Sequence, residues 1–334
     1  MRPLVPLERG GHAEGDSHEK KNDEDRDEIA HWTLCYQTVS TLDPSFSRAY
    51  ATCFDVARRH YENFPVASWL LPSEIRPHVA AVYAFARYAD DFADEGDRAP
   101  SERLTLLDDW LRRFHVAVNG EVNPDSDQSV DLVFAAVNHT MTRYDLPASL
   151  FEDLISAFRQ DVTVDRYESW ETLLDYCRRS ANPVGRLVLR IAGRREEALE
   201  RASDCLCSAL QIANFLQDFD CDWQRGRLYI PSEVSRNFSA SESELDDDQL
   251  SPAWRATIAD VARRNRQLFD LGRSICDEVG GRLGLELRFT WLGGCRILDQ
   301  LKSGDYDPRM RRPKLGAGDF LPILWKAANW QRLS

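Results

Sequence analysis

Tyr83-Ala84-Phe85-Ala86-Arg87-Tyr88-Ala89-Asp90-Asp91-Phe92-Ala93-Asp94-Glu95 and Gln211-Ile212-Ala213-Asn214-Phe215-Leu216-Gln217-Asp218-Phe219-Asp220-Cys221-Asp222 are the two stretches whose reading decides the fold. Each is an apolar segment carrying oxygen-bearing side chains at helical intervals. In the first, Asp90 and Asp94 stand four apart, Arg87 three before Asp90 and Tyr83 seven before it, so on an α-helix all four project from one side. Val82, Phe85 and Phe92 fall on the other side and read as packing residues. In the second, Asn214, Asp218 and Asp222 form one stripe, Gln211 extends it by a turn, and Arg225, Arg227 and Tyr229 follow at the helix end.

An Asp-x-x-x-Asp on a helix is usually a solvated face, and like charges at that spacing mildly repel. Here the stripes lie inside the apolar runs 79–92 and 206–219, where carboxylates are costly unless paired or metal-bound. Two such stripes in one chain point to a shared site. Magnesium prefers oxygen ligands and typically takes one or two carboxylates together with phosphate oxygens. Two facing stripes of this kind suit Mg2+ held against a diphosphate, with Arg87 and an arginine near the loop on the remaining phosphate oxygens.

Outward from these stretches the pattern stays helical, with apolar residues recurring at three and four positions. Helices are expected at about 45–60, 74–94, 101–118, 128–143, 148–161, 169–192, 195–223, 250–278 and 282–302. The polar, acidic segment 234–251 reads as a loop, and Gly304 and Pro308 close the last core helix. No repeat or low-complexity linker divides the chain. The expectation is all-α: an extension over 1–42, one helical domain over 43–304 and a tail over 305–334. The run Glu19–Glu28 reads as a solvated, disordered part of that extension.

The 334 residues carry a net charge of −13, which argues against nucleic acid as a partner and requires cations as intermediaries for an anionic substrate. No apolar run is long enough to span a bilayer and residues 1–30 lack the apolar centre of a secretion signal, so the expected location is the cytoplasm. The tail segment 320–325 (Phe320 to Trp325) allows a peripheral membrane contact. None of the eight cysteines forms a Cys-x-x-Cys pair, and all read as buried thiols. His60, His78, His115 and His139 read as structural, as do Trp69, Trp223 and Trp291.

Together with His60-Tyr61-Glu62-Asn63-Phe64-Pro65-Val66-Ala67-Ser68, Leu70-Leu71-Pro72, Tyr176-Cys177-Arg178-Arg179-Ser180-Ala181-Asn182-Pro183-Val184-Gly185 and Gly226-Arg227-Leu228-Tyr229-Ile230-Pro231, the two stretches resemble the squalene/phytoene synthase family over about residues 45–315. The likeness is strongest to its hydroxysqualene synthase branch, which acts in bacterial hopanoid biosynthesis. The resemblance implies an isoprenoid-synthase helical bundle with a central cavity, Mg2+ as cofactor and an isoprenoid diphosphate substrate. It makes Asp90 and Asp94 the first metal ligands and Asn214, Asp218 and Asp222 the second set. Arg87 and Arg311 would hold diphosphate. Tyr176 and Gln211 would line the cavity near the reacting carbons. Tyr61, Asn63, Phe64, Tyr83, Gln217, Arg227 and Tyr229 complete the expected substrate contacts.

Three departures bear on the reaction. Tyr61 and Asn63 stand where many members have serines, Gln217 precedes Asp218 where arginine is common, and Gly294 falls where a tyrosine is often seen. Fewer phosphate donors suit a reaction on one bound diphosphate. The implied reaction is conversion of presqualene diphosphate and water to hydroxysqualene, alongside other enzymes of that pathway. The alternatives are head-to-head synthesis of presqualene diphosphate, squalene or phytoene, and a non-catalytic scaffold of the same fold.

Overall fold

The computed structural model describes residues 44–59, 70–120, 122–247 and 249–331. The expected extension over 1–42, with Tyr61, Asn63 and Phe64, lies outside the described residues. Fourteen α-helices, named here in chain order, and two short 3-10 turns, Pro44–Phe46 and Glu242–Asp246, make up the described chain, which contains no strand. A parallel bridge between Arg166 and Leu228 is the one β-type pairing among these residues.

Helices α1 (Ser47–Arg59), α3 (Pro100–Val118), α4 (Ser129–Tyr144) and α5 (Ala148–Asp161) surround α2 (Arg76–Asp94). Its apolar face supplies Val79, Val82 and Phe85 to the core. Phe85 stands 5.6, 5.2 and 5.1 Å from the rings of Trp110, Phe114 and Phe151, all essentially buried. Removing any one of these rings should cost about 3–5 kcal/mol. His78, also on α2, is buried beside Tyr50 and Thr140, 2.9 and 3.0 Å from their hydroxyls, and His139 lies 2.8 Å from the same Tyr50 hydroxyl. Burial pushes the His78 imidazole down to about 3, so it is a neutral structural group.

The second half is built on α8 (Glu197–Gln217), which packs against α6 (Trp170–Ser180), α7 (Asn182–Ile191), α11 (Pro252–Gly272), α12 (Ser274–Glu278) and α13 (Gly281–Ser303). A Cβ on Gly185 would stand 2.3 Å from the Ser203 hydroxyl and 2.5 Å from the Cys207 sulfur, so α7 and α8 meet there through a bare backbone. Contacts of α7 with α2 and α5 join the halves. The two stripe-bearing helices are therefore the central helices of their respective halves.

Three expected helices are divided. The span 169–192 breaks at Ala181 (φ −112°), because Pro183 restricts the approach to the next helix. The span 250–278 breaks at Arg273, and 195–223 breaks at Asp218 into α8 and α9 (Phe219–Gln224). The expected loop 234–251 overlaps α10 (Ser232–Asn237) and the second 3-10 turn. The tail adds α14 (Ala317–Ala328), which packs on α13. Among the described residues, no helix is long and apolar enough to cross a membrane.

Candidate active site

The C-terminal end of α2 presents the first stripe. Arg103 of α3 fixes that end, donating 2.7 Å hydrogen bonds to the Ala93 and Gly96 carbonyls. Such capping answers the unpaired carbonyls that any helix C-terminus exposes. The Arg87 guanidinium, mostly shielded from solvent, lies 3.0 Å from Asp90, 2.5 Å from Asp91 and 2.5 Å from Glu95. Burial pushes the Asp90 carboxyl up to about 6; Arg87 opposes that rise, and Asp94 and Asp91 add to it.

The second stripe survives the break at Asp218. Asp218 N–H donates to the Asn214 carbonyl at 2.8 Å and Asp222 N–H to the Asp218 carbonyl at 2.9 Å, so helical spacing continues across the kink. Burial pushes the Asp222 carboxyl up to about 6, with Asp218 adding repulsion. Helix α9 ends at Gly226 (φ +80°): Gly226 N–H donates to the Trp223 carbonyl at 2.8 Å and Arg227 N–H to the Asp222 carbonyl at 2.9 Å. This left-handed C-cap favours glycine and reverses the chain. The reversal aims Arg227 across the molecule, where its fork grips both Asp94 oxygens at 3.1 and 2.5 Å. That pairing raises the Arg227 guanidinium further above its ordinary range. It ties Asp94 of the first stripe to the turn that follows the second, and the Asp94 charge adds to the rise at Asp222.

An aromatic cluster backs this junction. Extended pairing of 165–168 with 228–233, through Leu228 N–H to the Asp165 carbonyl and Ser232 N–H to the Tyr167 carbonyl, both 2.9 Å, sets Tyr167 beside Tyr229. Their rings lie 5.6 Å apart, Tyr229 stacks on Phe215 at 3.8 Å, and Tyr176 stands 6.1 Å from both Phe215 and Tyr229. The Tyr176 hydroxyl donates to Asp161 at 2.9 Å. The other Asp161 oxygen, Oδ1, is buried without a hydrogen-bond partner. Burial pushes the Asp161 carboxyl up to about 7, against the pull of Tyr176 and Arg227.

Asp90, Asp94, Asp218, Asp222, Arg87, Arg227, Tyr176 and Tyr229 thus meet in one region, with Tyr83 half-buried on α2 and Gln211, Asn214 and Gln217 along α8. Arg311 is exposed and pairs with no carboxylate among the described residues. Its neighbour Arg312 reaches Asp218 at 2.9 and 2.5 Å, and Arg309 lies 3.0 Å from Asp220. Sequence spacing singles out neither Asp161 nor Arg312. The polar ending Phe158-Arg159-Gln160-Asp161 resembles any helix terminus, and the pairing of Arg312 depends on how the tail folds back. Surface hollows of about 310 and 300 Å³ are lined by none of these residues.

The donor set is oxygen throughout, which suits a hard divalent cation such as Mg2+. Raised Asp90 and Asp222 indicate crowded, desolvated carboxylates that a dication would relieve. Among the described residues no three His, Cys, Asp or Glu side chains cluster closely enough to hold a metal ion alone.

An all-α bundle with two carboxylate stripes, arginine forks and a buried aromatic cluster is the arrangement of a class of enzymes that process isoprenoid diphosphates. The chain belongs to the squalene/phytoene synthase family, whose model matches residues 57–319. It is 37% identical over 231 residues to the hydroxysqualene synthase of Zymomonas mobilis, covering 68% of this chain and 74% of that protein. It is 35% identical over 251 residues to the hydroxysqualene synthase of Sinorhizobium fredii, covering 75% and 82%. The crystal structure of squalene synthase HpnC from Alicyclobacillus acidocaldarius superposes with a TM-score of 0.74 at 36% identity, covering 81% of this chain and 99% of that one.

Proposed function

We propose that the protein is a hydroxysqualene synthase, converting presqualene diphosphate and water to hydroxysqualene and diphosphate, within squalene and hopanoid biosynthesis. The observation that carries this reading is the Arg227–Asp94 fork, which ties the first carboxylate stripe to the turn after the second, beside four aromatic rings. Asp90 and Asp94 on one side and Asn214, Asp218 and Asp222 on the other would hold Mg2+. When bound, Mg2+ neutralises charge on the departing diphosphate.

The chain's own groups do the rest. Arg87, Arg227 and Arg312 present guanidinium forks to phosphate oxygens. Tyr167, Tyr176, Phe215 and Tyr229 offer ring faces to the cation left when the carbon–oxygen bond breaks. Water adds to that cation and sheds a proton, and Asp161, with its unpartnered Oδ1 and a carboxyl near 7, is placed to take it. Ground-state crowding of the stripes falls when the substrate's charge and its cations arrive together.

Support for this branch comes from the two hydroxysqualene synthase relatives and from Gly294. A Cβ there would stand 2.4 Å from the Phe269 ring and 3.0 Å from Leu210, so Phe269 occupies the space a tyrosine at 294 would need. The second reading, head-to-head synthesis, is favoured by the name of the Alicyclobacillus relative. The location proposed is cytoplasmic and peripheral to the membrane. Incubation with presqualene diphosphate and Mg2+, without nicotinamide, tests the reading: hydroxysqualene identified by mass supports it. Unchanged presqualene diphosphate with consumption of farnesyl diphosphate would replace it with the second reading.

A further inference from the structure

The last described segment is anomalous in two ways. Eight large hydrophobic side chains are exposed among the described residues, and five of them, Met310, Leu315, Phe320, Leu321 and Trp325, fall within sixteen residues of chain. Helix α14 turns Ile323 and Ala327 inward and anchors through Asp319 to Arg296 at 2.7 Å. Its outward face is nevertheless apolar: Leu321 and Trp325, four apart, are 71% and 67% exposed. A helix packed on one side and facing water on the other should be polar outside.

Charge is the second anomaly. Residues 309–326 carry five basic side chains against the single Asp319, in a chain of net charge −13. Within residues 44–331 lysine occurs only at 302, 314 and 326. Arg309 and Arg312 are committed to Asp220 and Asp218. Arg311, Lys314 and Lys326 are exposed and pair with no carboxylate among the described residues. Apolar side chains with an aromatic residue, flanked by uncommitted cations, match an interfacial helix on an anionic bilayer, where the apolar face enters the acyl boundary and lysines meet headgroups.

We propose that residues 310–326 form a docking surface for an anionic lipid bilayer. Leu321, Trp325 and Phe320 insert, and Arg311, Lys314 and Lys326 contact headgroups. Arg312 ties the same segment to Asp218, so docking would set the rim of the second carboxylate stripe against the lipid surface. This last consequence rests on the reading that the substrate is an isoprenoid diphosphate. Docking itself does not.

The test is flotation of the full chain with phosphatidylcholine vesicles with and without phosphatidylglycerol, which requires neither substrate nor turnover. Binding is expected with phosphatidylglycerol, weakened by salt. Lys314→Glu with Lys326→Glu should reduce it by about tenfold or more, since each basic residue near such a surface is worth about 1 kcal/mol. Leu321→Asp with Trp325→Asp should abolish it while circular dichroism and turnover in detergent stay at the parent level. Binding that survives the aspartate pair would overturn the proposal. So would absent binding from a chain that sediments as a dimer and becomes monomeric with that pair, which would assign the face to a second copy.

Discussion

Asp161→Asn should make the metal-free protein more stable, increasingly so as pH rises. In the unfolded chain this carboxyl ionises near 3.8, and in the folded protein near 7. Between those values the folded state binds the extra proton, so stability falls as pH rises through the window and levels off above it. Keeping the carboxyl neutral to about 7 corresponds to a ceiling of about 4 kcal/mol at pH 8, of which about 2 kcal/mol develops between pH 5.5 and 8. Relaxation and water around the half-buried side chain reduce this, and about 1–2 kcal/mol is expected over that interval. Asparagine removes the charge and keeps an acceptor for the Tyr176 hydroxyl. Urea unfolding in EDTA at pH 5.5 and 8.0 reads the difference: the advantage of the Asp161→Asn variant over the parent should grow by that amount. Parallel pH profiles for the two proteins would refute the placement of Asp161 in a desolvated, charge-crowded site.

Asp90→Ala or Asp218→Ala should abolish turnover while helicity is retained, because each removes a proposed metal ligand rather than an apolar core contact; turnover and circular dichroism check both parts. Gly294→Ala should destabilise by about 1–3 kcal/mol in urea unfolding, since the buried Phe269 ring 2.4 Å away has nowhere to move. Gly226→Ala should cost about 1 kcal/mol from its φ of +80° alone, because nothing lies within 4 Å of the added methyl. Its larger effect should be on turnover, through misdirection of Arg227.

Much of this was legible in side-chain spacing. The four-residue intervals at 90–94 and 214–218–222 are local, and hydrogen bonding across Asp218 preserves them even though the helix breaks there. Apolar periodicity likewise placed α2 and α5 to within about two residues of their observed bounds. The break at Arg273 escaped because periodicity runs through a short kink undisturbed, whereas Pro183 marks the one at Ala181 locally. Asp161 and Arg312 escaped for another reason. Their roles arise from contacts across 15 and 94 residues of sequence, with Tyr176 and Asp218, and a helix-ending aspartate or a tail arginine carries no local mark of such a partner. Helix α14 escaped because Gly316 and Gly318 at its start and Pro322 within it read as helix breakers.

The most direct test of the account is turnover of presqualene diphosphate with Mg2+ in ¹⁸O-labelled water, followed by mass analysis of the lipid product. Hydroxysqualene carrying one heavy oxygen is the predicted result, since capture of the cation by water is the step that the single-substrate site and its aromatic lining are proposed to serve. An unlabelled alcohol, a hydrocarbon product or recovered presqualene diphosphate would contradict it.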